Sequence, residues 1–118
     1  MLADPGRIRP DLRLELTDGK TRLLLSAASS WEIAIKWALG RLSLPEPPAT
    51  YVPSRMQRTN MEPLAISHSH ALQVATLSRH HRDPFDRLLV AQAQLEGVPL
   101  VTADRAFDAY DIEIVRAD

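Results

Sequence analysis

Three acidic residues have the chemical type and the placement needed to bind a divalent cation. Glu32 and Asp104 each follow an apolar segment with the pattern of a strand, and Asp86 lies in the first turn of a strongly patterned helix. In an open α/β sheet, ligands bind just beyond the carboxyl ends of the strands. Carboxylates that gather there repel one another unless a cation neutralises them, and oxygen ligands suit Mg²⁺ or Mn²⁺. The pattern therefore predicts a metal site if the three side chains converge.

Helix capping is the alternative explanation, and the residue pattern of each acid taken alone favours it. Ser29 and Glu32 have the spacing of a capping box, with Ser29 as the N-cap, and Asp83 and Asp86 have a similar spacing. An acid in the first turn of a helix gains about 0.3–1 kcal/mol from the helix dipole. Only convergence of the three acids would favour a metal site over capping.

The segments that would position these acids alternate between extended and helical patterns. The strongest predictions are the strand Arg22–Ser26, the helix Trp31–Leu39, the helix Pro84–Glu96 with Asp83 as its N-cap, and the buried strand Val98–Thr102. The weaker predictions are a helix over Arg9–Leu16, a turn at Asp18–Lys20, a helix from Pro53 toward Asn60, an extended Met61–Ile66, a helix from Ser67 through Leu77, a helical turn around Arg105–Ala109 and a last strand over Ile112–Val115. This alternation predicts an α/β fold with a mainly parallel sheet flanked by helices.

The composition of residues 1–118 is that of one folded domain. Hydrophobic residues make up 45% and charged residues 25%, which supports a buried core and excludes wholesale disorder. A net charge of −1 excludes nucleic-acid binding through bulk positive charge. The absence of cysteine excludes a disulfide scaffold, a cysteine zinc site and a thiol nucleophile. The apolar runs are too short to cross a bilayer and no signal peptide is visible, so we expect a cytoplasmic protein that binds no membrane.

Three segments that contain the acids resemble the signature sequences of PIN-domain proteins, and most closely those of VapC-type toxins of bacterial toxin–antitoxin pairs. The central signature corresponds to Ser26–Lys36 followed by Leu39–Leu42, and the two downstream signatures correspond to His80–Ala93 and Leu100–Asp104. The three segments have the family's order and spacing. The resemblance extends from about Leu23 to Val115, which is nearly the whole chain.

The resemblance implies a PIN-like fold and the metal-dependent hydrolysis of RNA. It assigns Glu32, Asp86 and Asp104 as catalytic residues and as ligands of one or two Mg²⁺ or Mn²⁺ ions, which activate a water molecule without a covalent enzyme intermediate. It also implies three partners, namely an RNA substrate, a cognate antitoxin protein and a second copy of the chain in a homodimer.

The N-terminus departs from the family pattern, which begins with an apolar strand that ends in an aspartate. No strand-like segment precedes Asp4, so we expect a domain that is N-terminally truncated and lacks both the first strand and the first acidic residue. Two functions are then open. The first is a metal-dependent endoribonuclease that acts as the toxin of a type II toxin–antitoxin system. The second is a catalytically impaired PIN-like remnant that serves only as an antitoxin-binding or dimerisation module.

The histidine and tryptophan residues suggest further roles. His68 and His70 differ by two positions and His80 and His81 are adjacent, so neither pair forms a two-ligand zinc clamp on a helix. Trp31 is expected in the core and Trp37 at an interface, with base stacking as the less favoured alternative for both. Apolar surface for an oligomer is expected from Trp37, Leu39, Leu42 and Leu44.

Overall fold

A five-stranded parallel sheet organises the computed structural model of the chain, which describes residues 1–4, 22–78 and 83–117. The strands are β1 (Leu2–Ala3), β2 (Leu23–Ser26), β3 (Met61–Leu64), β4 (Leu100–Thr102) and β5 (Ile114–Arg116). Their spatial order is β3-β2-β1-β4-β5, and all four neighbouring pairs are parallel. The predicted α/β fold with a mainly parallel sheet is confirmed.

Helices connect the strands as the alternating pattern predicts. They are α1 (Ala27–Ala38), α2 (Pro48–Arg58), α3 (His68–Gln73) and α4 (Pro84–Glu96), with short 3₁₀ helices at Val74–Thr76 and Arg105–Ala109. The boundaries of α4 agree with the prediction because local signals set both of its ends. Asp83 caps its amino end, and Gly97 adopts the left-handed φ of 65° that ends it. Among the described residues, no helix is long and apolar enough to cross a membrane.

Helix α1 begins four residues earlier than predicted. Its N-cap is Ser26, the last residue of β2, whose Oγ accepts a 3.0 Å hydrogen bond from the backbone N–H of Ala28. Ser29 lies inside the helix and is buried, so the predicted capping box of Ser29 and Glu32 is wrong. Alanine at the first two helical positions favours an immediate turn from strand to helix. The first turn therefore precedes Glu32, which lies in the second.

Helix α2 also begins earlier than predicted. It runs through Pro53 rather than starting there, and Pro48 occupies its first turn. Proline is favoured in a first turn because the missing N–H has no helical acceptor at that position. Proline has no backbone N–H, so the carbonyl group four residues before Pro53 has no helical donor. Pro53 is exposed, so this carbonyl group lies on the side of the helix that water can reach.

Strand β1 contradicts the prediction that the first strand is missing. Leu2 pairs with Leu24 of β2 on one side and with Leu100 of β4 on the other, and Ala3 pairs with Val101. Both residues of β1 are fully buried. This strand lies in the middle of the sheet, so its backbone groups are satisfied from both sides. The expectation of a sheet without its central strand is therefore wrong.

Both faces of the sheet are buried, because successive residues of a strand point to opposite faces. Leu2 and Leu100 join one apolar cluster with Leu89, Val90 and Phe107. Ala3 and Val101 point the other way, into a second cluster that also contains Leu23 and Ala117. The central strands β1 and β4 are thus held by side-chain packing on both faces as well as by hydrogen bonds to neighbouring strands. The residues that follow their carboxyl ends therefore have fixed positions.

Candidate active site

β1 and β4 are neighbours in the sheet, and the strands that follow each of them along the chain are added on opposite sides of this pair. From β1 the chain continues to β2 and β3 on one side, and it later returns to β4 and β5 on the other side. Such a switch point leaves a crevice at the carboxyl edge, where open α/β sheets bind their ligands. Asp4 follows β1 directly and Asp104 follows β4 by two residues. Both acids therefore lie at this edge.

A threonine hydroxyl links these two positions. The Oγ1 of Thr102, at the end of β4, donates a 2.8 Å hydrogen bond to Oδ2 of Asp4. The same oxygen accepts a 3.0 Å hydrogen bond from the backbone N–H of Asp104. Thr102 is fully buried and Asp4 is 6% exposed. Because a buried hydroxyl with both roles filled has little freedom, it fixes the Asp4 carboxylate relative to the loop that carries Asp104.

Asp104 also acts as a helix cap. Its Oδ1 accepts a 3.0 Å hydrogen bond from the backbone N–H of Ala106, at the start of the 3₁₀ helix Arg105–Ala109. The capping explanation is therefore confirmed for one of its carboxylate oxygens. A carboxylate has two oxygens and about four acceptor positions, so capping and metal ligation are compatible in one side chain.

Asp86 lies in the first turn of α4 and is only 6% exposed. The N-cap of this helix is Asp83, whose Oδ1 accepts hydrogen bonds from the backbone N–H groups of Phe85 (2.8 Å) and Asp86 (3.4 Å). Asp83 is thus the N-cap that the capping explanation predicts, and Asp86 is an acid in the first turn, where the helix dipole favours a negative charge. In a strand–helix–strand unit the helix runs back across the sheet, so the first turn of α4 lies toward the carboxyl edge.

Glu32 lies on α1, which contacts the start of α4. The rings of Trp31 and Phe85 meet edge to face, with centroids 5.2 Å apart and an interplanar angle of 80°. These residues immediately precede Glu32 and Asp86 in the sequence. Oε2 of Glu32 lies 2.9 Å from Nζ of Lys36, one turn further along the same helix. Glu32 therefore belongs to the helix pair that carries Asp86, with a lysine beside its carboxylate.

The donor groups at this edge fit a hard divalent cation in their chemistry. Asp4, Asp86, Asp104 and Thr102 supply carboxylate and hydroxyl oxygens, which Mg²⁺ and Mn²⁺ prefer. Within residues 1–4, 22–78 and 83–117, however, no three side chains of His, Cys, Asp or Glu are gathered closely enough to hold a metal ion. The shared metal site of Glu32, Asp86 and Asp104 stays a prediction.

The sequence interpretation missed Asp4. The expectation that the chain lacks the first acid assumed that no strand delivers an aspartate to the sheet edge, and β1 delivers Asp4 to that edge. The one available signal was the apolar pair Leu2 and Ala3 directly before the acid. Two residues show no alternation, so the pattern could not distinguish a strand from a chain end.

His70 has a structural role in the described part of the chain. Its Nδ1 accepts a 3.0 Å hydrogen bond from the backbone N–H of Ser67, while Ser67 Oγ accepts from the N–H of His70, which completes a capping box for α3. The Nε2 atom lies 2.9 Å from Oε2 of Glu96. Both ring nitrogens of His70 are thus engaged. His80 and His81 lie outside the described residues.

An apolar groove of about 200 Å³ lies between α1, α2 and the edge of the sheet. Its lining includes Leu25, Ile33, Leu42, Leu44, Val52 and Met56. Leu42 and Leu44 are half-buried, whereas Trp37 and Leu39 at the end of α1 are exposed. The predicted apolar surface at these four positions is therefore present. Trp31, predicted in the core, is instead 59% exposed, because it faces the start of α4 rather than the sheet.

Comparisons with known proteins agree with this architecture. The family model of the PIN domain matches residues 5–113. Over 60 residues the chain is 50% identical to Ribonuclease VapC16 of Mycobacterium tuberculosis, a match that covers 51% of this chain and 43% of that relative. The chain thus matches less than half the length of this curated relative.

Two solved structures share the fold. VapBC2 of Rickettsia felis, bound to a DNA fragment from their promoter, aligns with a TM-score of 0.72 and 16% identity over 100% of both chains. A toxin–antitoxin complex of Klebsiella pneumoniae aligns with a TM-score of 0.53 and 18% identity, covering 80% of this chain and 72% of that chain. At these identities the likeness concerns the fold alone.

Proposed function

Because the chain belongs to the PIN-domain family, we propose that it is a metal-dependent endoribonuclease and the toxin of a type II toxin–antitoxin system. The reaction is the hydrolysis of a phosphodiester bond of RNA in the cytoplasm. The observation that supports this proposal most directly is the linked pair of Asp4 and Asp104 at the switch point of the sheet, joined through Thr102. The 50% identity to a ribonuclease over half of the chain supports the choice of reaction.

We assign metal ligation, directly or through water, to Glu32, Asp86 and Asp104, and we add Asp4 to this set. When bound, Mg²⁺ or Mn²⁺ lowers the pKa of a water molecule and offsets the charge that develops on the phosphate. The burial of Asp4 and Asp86 keeps bulk water from their carboxylates, and a dry site strengthens every charge interaction within it. The hydroxyl of Thr102 orients the carboxylate of Asp4, and the ion pair with Lys36 restricts the carboxylate of Glu32.

The test is the cleavage of a labelled single-stranded RNA by the purified chain with Mg²⁺ or Mn²⁺ and with EDTA. Asp86→Asn keeps the size of the side chain and removes its charge, so cleavage should be abolished. Asp111→Asn is the matched control, since Asp111 is exposed and follows the 3₁₀ helix Arg105–Ala109. Cleavage that survives both EDTA and Asp86→Asn would reject the metal mechanism.

A catalytically impaired module that only holds an antitoxin is the second candidate. The apolar groove favours it, as does the finding that no three acids within the described ranges are gathered closely enough to hold a metal ion. This candidate predicts no RNA cleavage by the wild-type chain under any metal, together with retained antitoxin binding. The same cleavage assay therefore separates the two candidates.

We further propose a cognate antitoxin and a second copy of the chain as protein partners. The groove lined by Leu42, Leu44, Val52 and Met56 supports the first, because an apolar groove of this kind accepts the apolar side of a partner segment. The Klebsiella pneumoniae relative in fold is itself a toxin–antitoxin complex. Gel filtration of the free chain at high concentration tests the homodimer, and a strict monomer would contradict it.

A further inference from the structure

Trp31 is a large aromatic side chain held in place at the surface. It is 59% exposed, although a tryptophan side chain gains much by burial. Its ring is fixed by the edge-to-face contact with Phe85, which is half-buried in the first turn of α4. An exposed aromatic ring that is anchored in this way loses little conformational entropy when a flat ligand group packs on it.

The position of Trp31 associates it with the acids rather than with the apolar groove. It precedes Glu32 on α1, and its contact residue Phe85 precedes Asp86 on α4. Ile33, which lines the groove, lies two residues further along α1 and therefore about 200° around the helix axis. Trp31 thus faces the start of α4, and a segment seated in the groove would lie on another side of α1.

The charge around Trp31 restricts what it can bind. The carboxylates of Glu32 and Asp86 offer no basic group to the phosphates of a strand, so a contact that does not depend on charge would add to binding beside them. An aromatic face provides such a contact, since every base has a π-face and stacking tolerates any sequence. Lys36, one turn along α1 from Glu32 and more than half exposed, supplies a cation on the same helix. A single strand fits this arrangement better than a duplex, whose bases are already stacked.

We propose that Trp31, anchored by Phe85, is the stacking platform for an unpaired base of the RNA next to the cleavage site. This inference rests on the proposed ribonuclease function, which supplies the single-stranded substrate. Trp31 binds the substrate and performs no chemistry. Its contribution is therefore expected in KM, with kcat nearly unchanged.

The kinetic test compares Trp31→Ala and Trp31→Phe with the wild-type chain on a labelled single-stranded RNA. We expect Trp31→Ala to raise KM about tenfold and to leave kcat within about twofold, since one stacked base contributes roughly that much to affinity. Trp31→Phe retains an aromatic face, so its KM should lie between those of the wild type and Trp31→Ala. The matched control is Leu72→Ala, which removes a side chain that is 70% exposed on α3.

A second measurement is independent of catalysis. In the Trp37→Phe background Trp31 is the sole tryptophan of the chain, and its fluorescence should be quenched by a single-stranded oligoribonucleotide in EDTA. Duplex RNA should quench it much less. Unchanged KM for Trp31→Ala, or absence of quenching by the single strand, would overturn the proposal for Trp31. Cleavage of RNA by the wild-type chain in the same experiments would still support the ribonuclease function. Loss of antitoxin binding in Trp31→Ala with unchanged KM would assign the residue to the protein partner and also overturn it.

Discussion

The hydroxyl of Thr102 donates a hydrogen bond to the carboxylate of Asp4 across 98 positions of sequence. It connects the ends of the two central strands, β1 and β4, at the carboxyl edge of the sheet. Because the same oxygen accepts from the backbone of Asp104, one small side chain sets the relative positions of two candidate metal ligands. Thr102 is therefore a positioning residue for the candidate active site.

Replacing Thr102 by valine should reduce both stability and cleavage. Valine keeps the shape of the side chain but leaves Asp4 without this donor and the Asp104 N–H without its acceptor, which should cost about 1–3 kcal/mol in the free energy of unfolding. Thr102→Ser keeps the hydroxyl and loses one buried methyl group, at about 0.8 kcal/mol. Urea unfolding and RNA cleavage measure the two effects. If valine were tolerated better than serine, packing rather than hydrogen bonding would be the role of Thr102.

Replacing Asp4 by asparagine should separate metal binding from folding. The amide oxygen of asparagine still accepts a hydrogen bond from Thr102, so the contact with the end of β4 is retained and the variant should still fold. Loss of the charge should lower Mn²⁺ affinity and the rate of cleavage by about 100-fold. Mutation of residues that only hydrogen-bond to metal ligands lowers metal affinity or activity by about 10–100-fold, and loss of a ligand should have at least the larger effect. Calorimetric titration with Mn²⁺ checks the affinity. Wild-type affinity in Asp4→Asn would remove Asp4 from the ligand set.

Truncating Leu2 to alanine should show that β1 holds the centre of the sheet. Leu2 is fully buried between β2 and β4, and a buried leucine truncated to alanine costs about 2–5 kcal/mol. The matched variant Leu72→Ala, at an exposed position, should change the unfolding free energy by no more than about 0.5 kcal/mol. Chemical denaturation followed by circular dichroism measures both. Equal costs would contradict the central position of β1.

A charge in the apolar groove should weaken the antitoxin complex. Met56 lines the groove, whereas its neighbour Gln57 is exposed on α2. Met56→Glu should weaken binding of the cognate antitoxin by at least about tenfold, because it replaces an apolar side chain of the groove by a carboxylate that loses hydration when an apolar segment covers it. Gln57→Glu adds the same charge outside the groove and should bind like the wild type. Calorimetric titration of each variant with antitoxin tests the proposal, and equal affinities would exclude the groove as the binding surface.

The parts of the fold that depend on local signals could be predicted from the sequence. Asp83, Pro84 and Gly97 define α4 through capping, a fixed backbone angle and a left-handed turn, all within a few residues. Pro63 cannot donate to a neighbouring strand and limits Met61–Ile66 to an edge strand or a strand entry, and the structure places β3 at the edge of the sheet. The start of α1 was predicted wrongly, with Ser29 as the cap, because the structural N-cap Ser26 is set by the end of β2.

The candidate site was only partly predictable for the same reason. Family resemblance supplied Glu32, Asp86 and Asp104, but Asp4 gained its place through pairing of β1 with strands far away in the sequence. A segment of two residues is too short to show the hydrophobic pattern that would predict its burial in the sheet. The exposure of Trp31 was missed because its apolar spacing on α1 resembles that of a core residue. The predicted helix Arg9–Leu16 and turn Asp18–Lys20 lie outside the described residues.

The central position of β1 has a consequence for synthesis on the ribosome. Leu2 is translated long before its partner Leu100, and parallel pairing across such a sequence separation closes a long loop, which slows folding. The middle of the sheet therefore stays open until β4 has been made. Asp4 and Asp104 come together only then, so the nascent chain carries no assembled acidic edge during most of its translation.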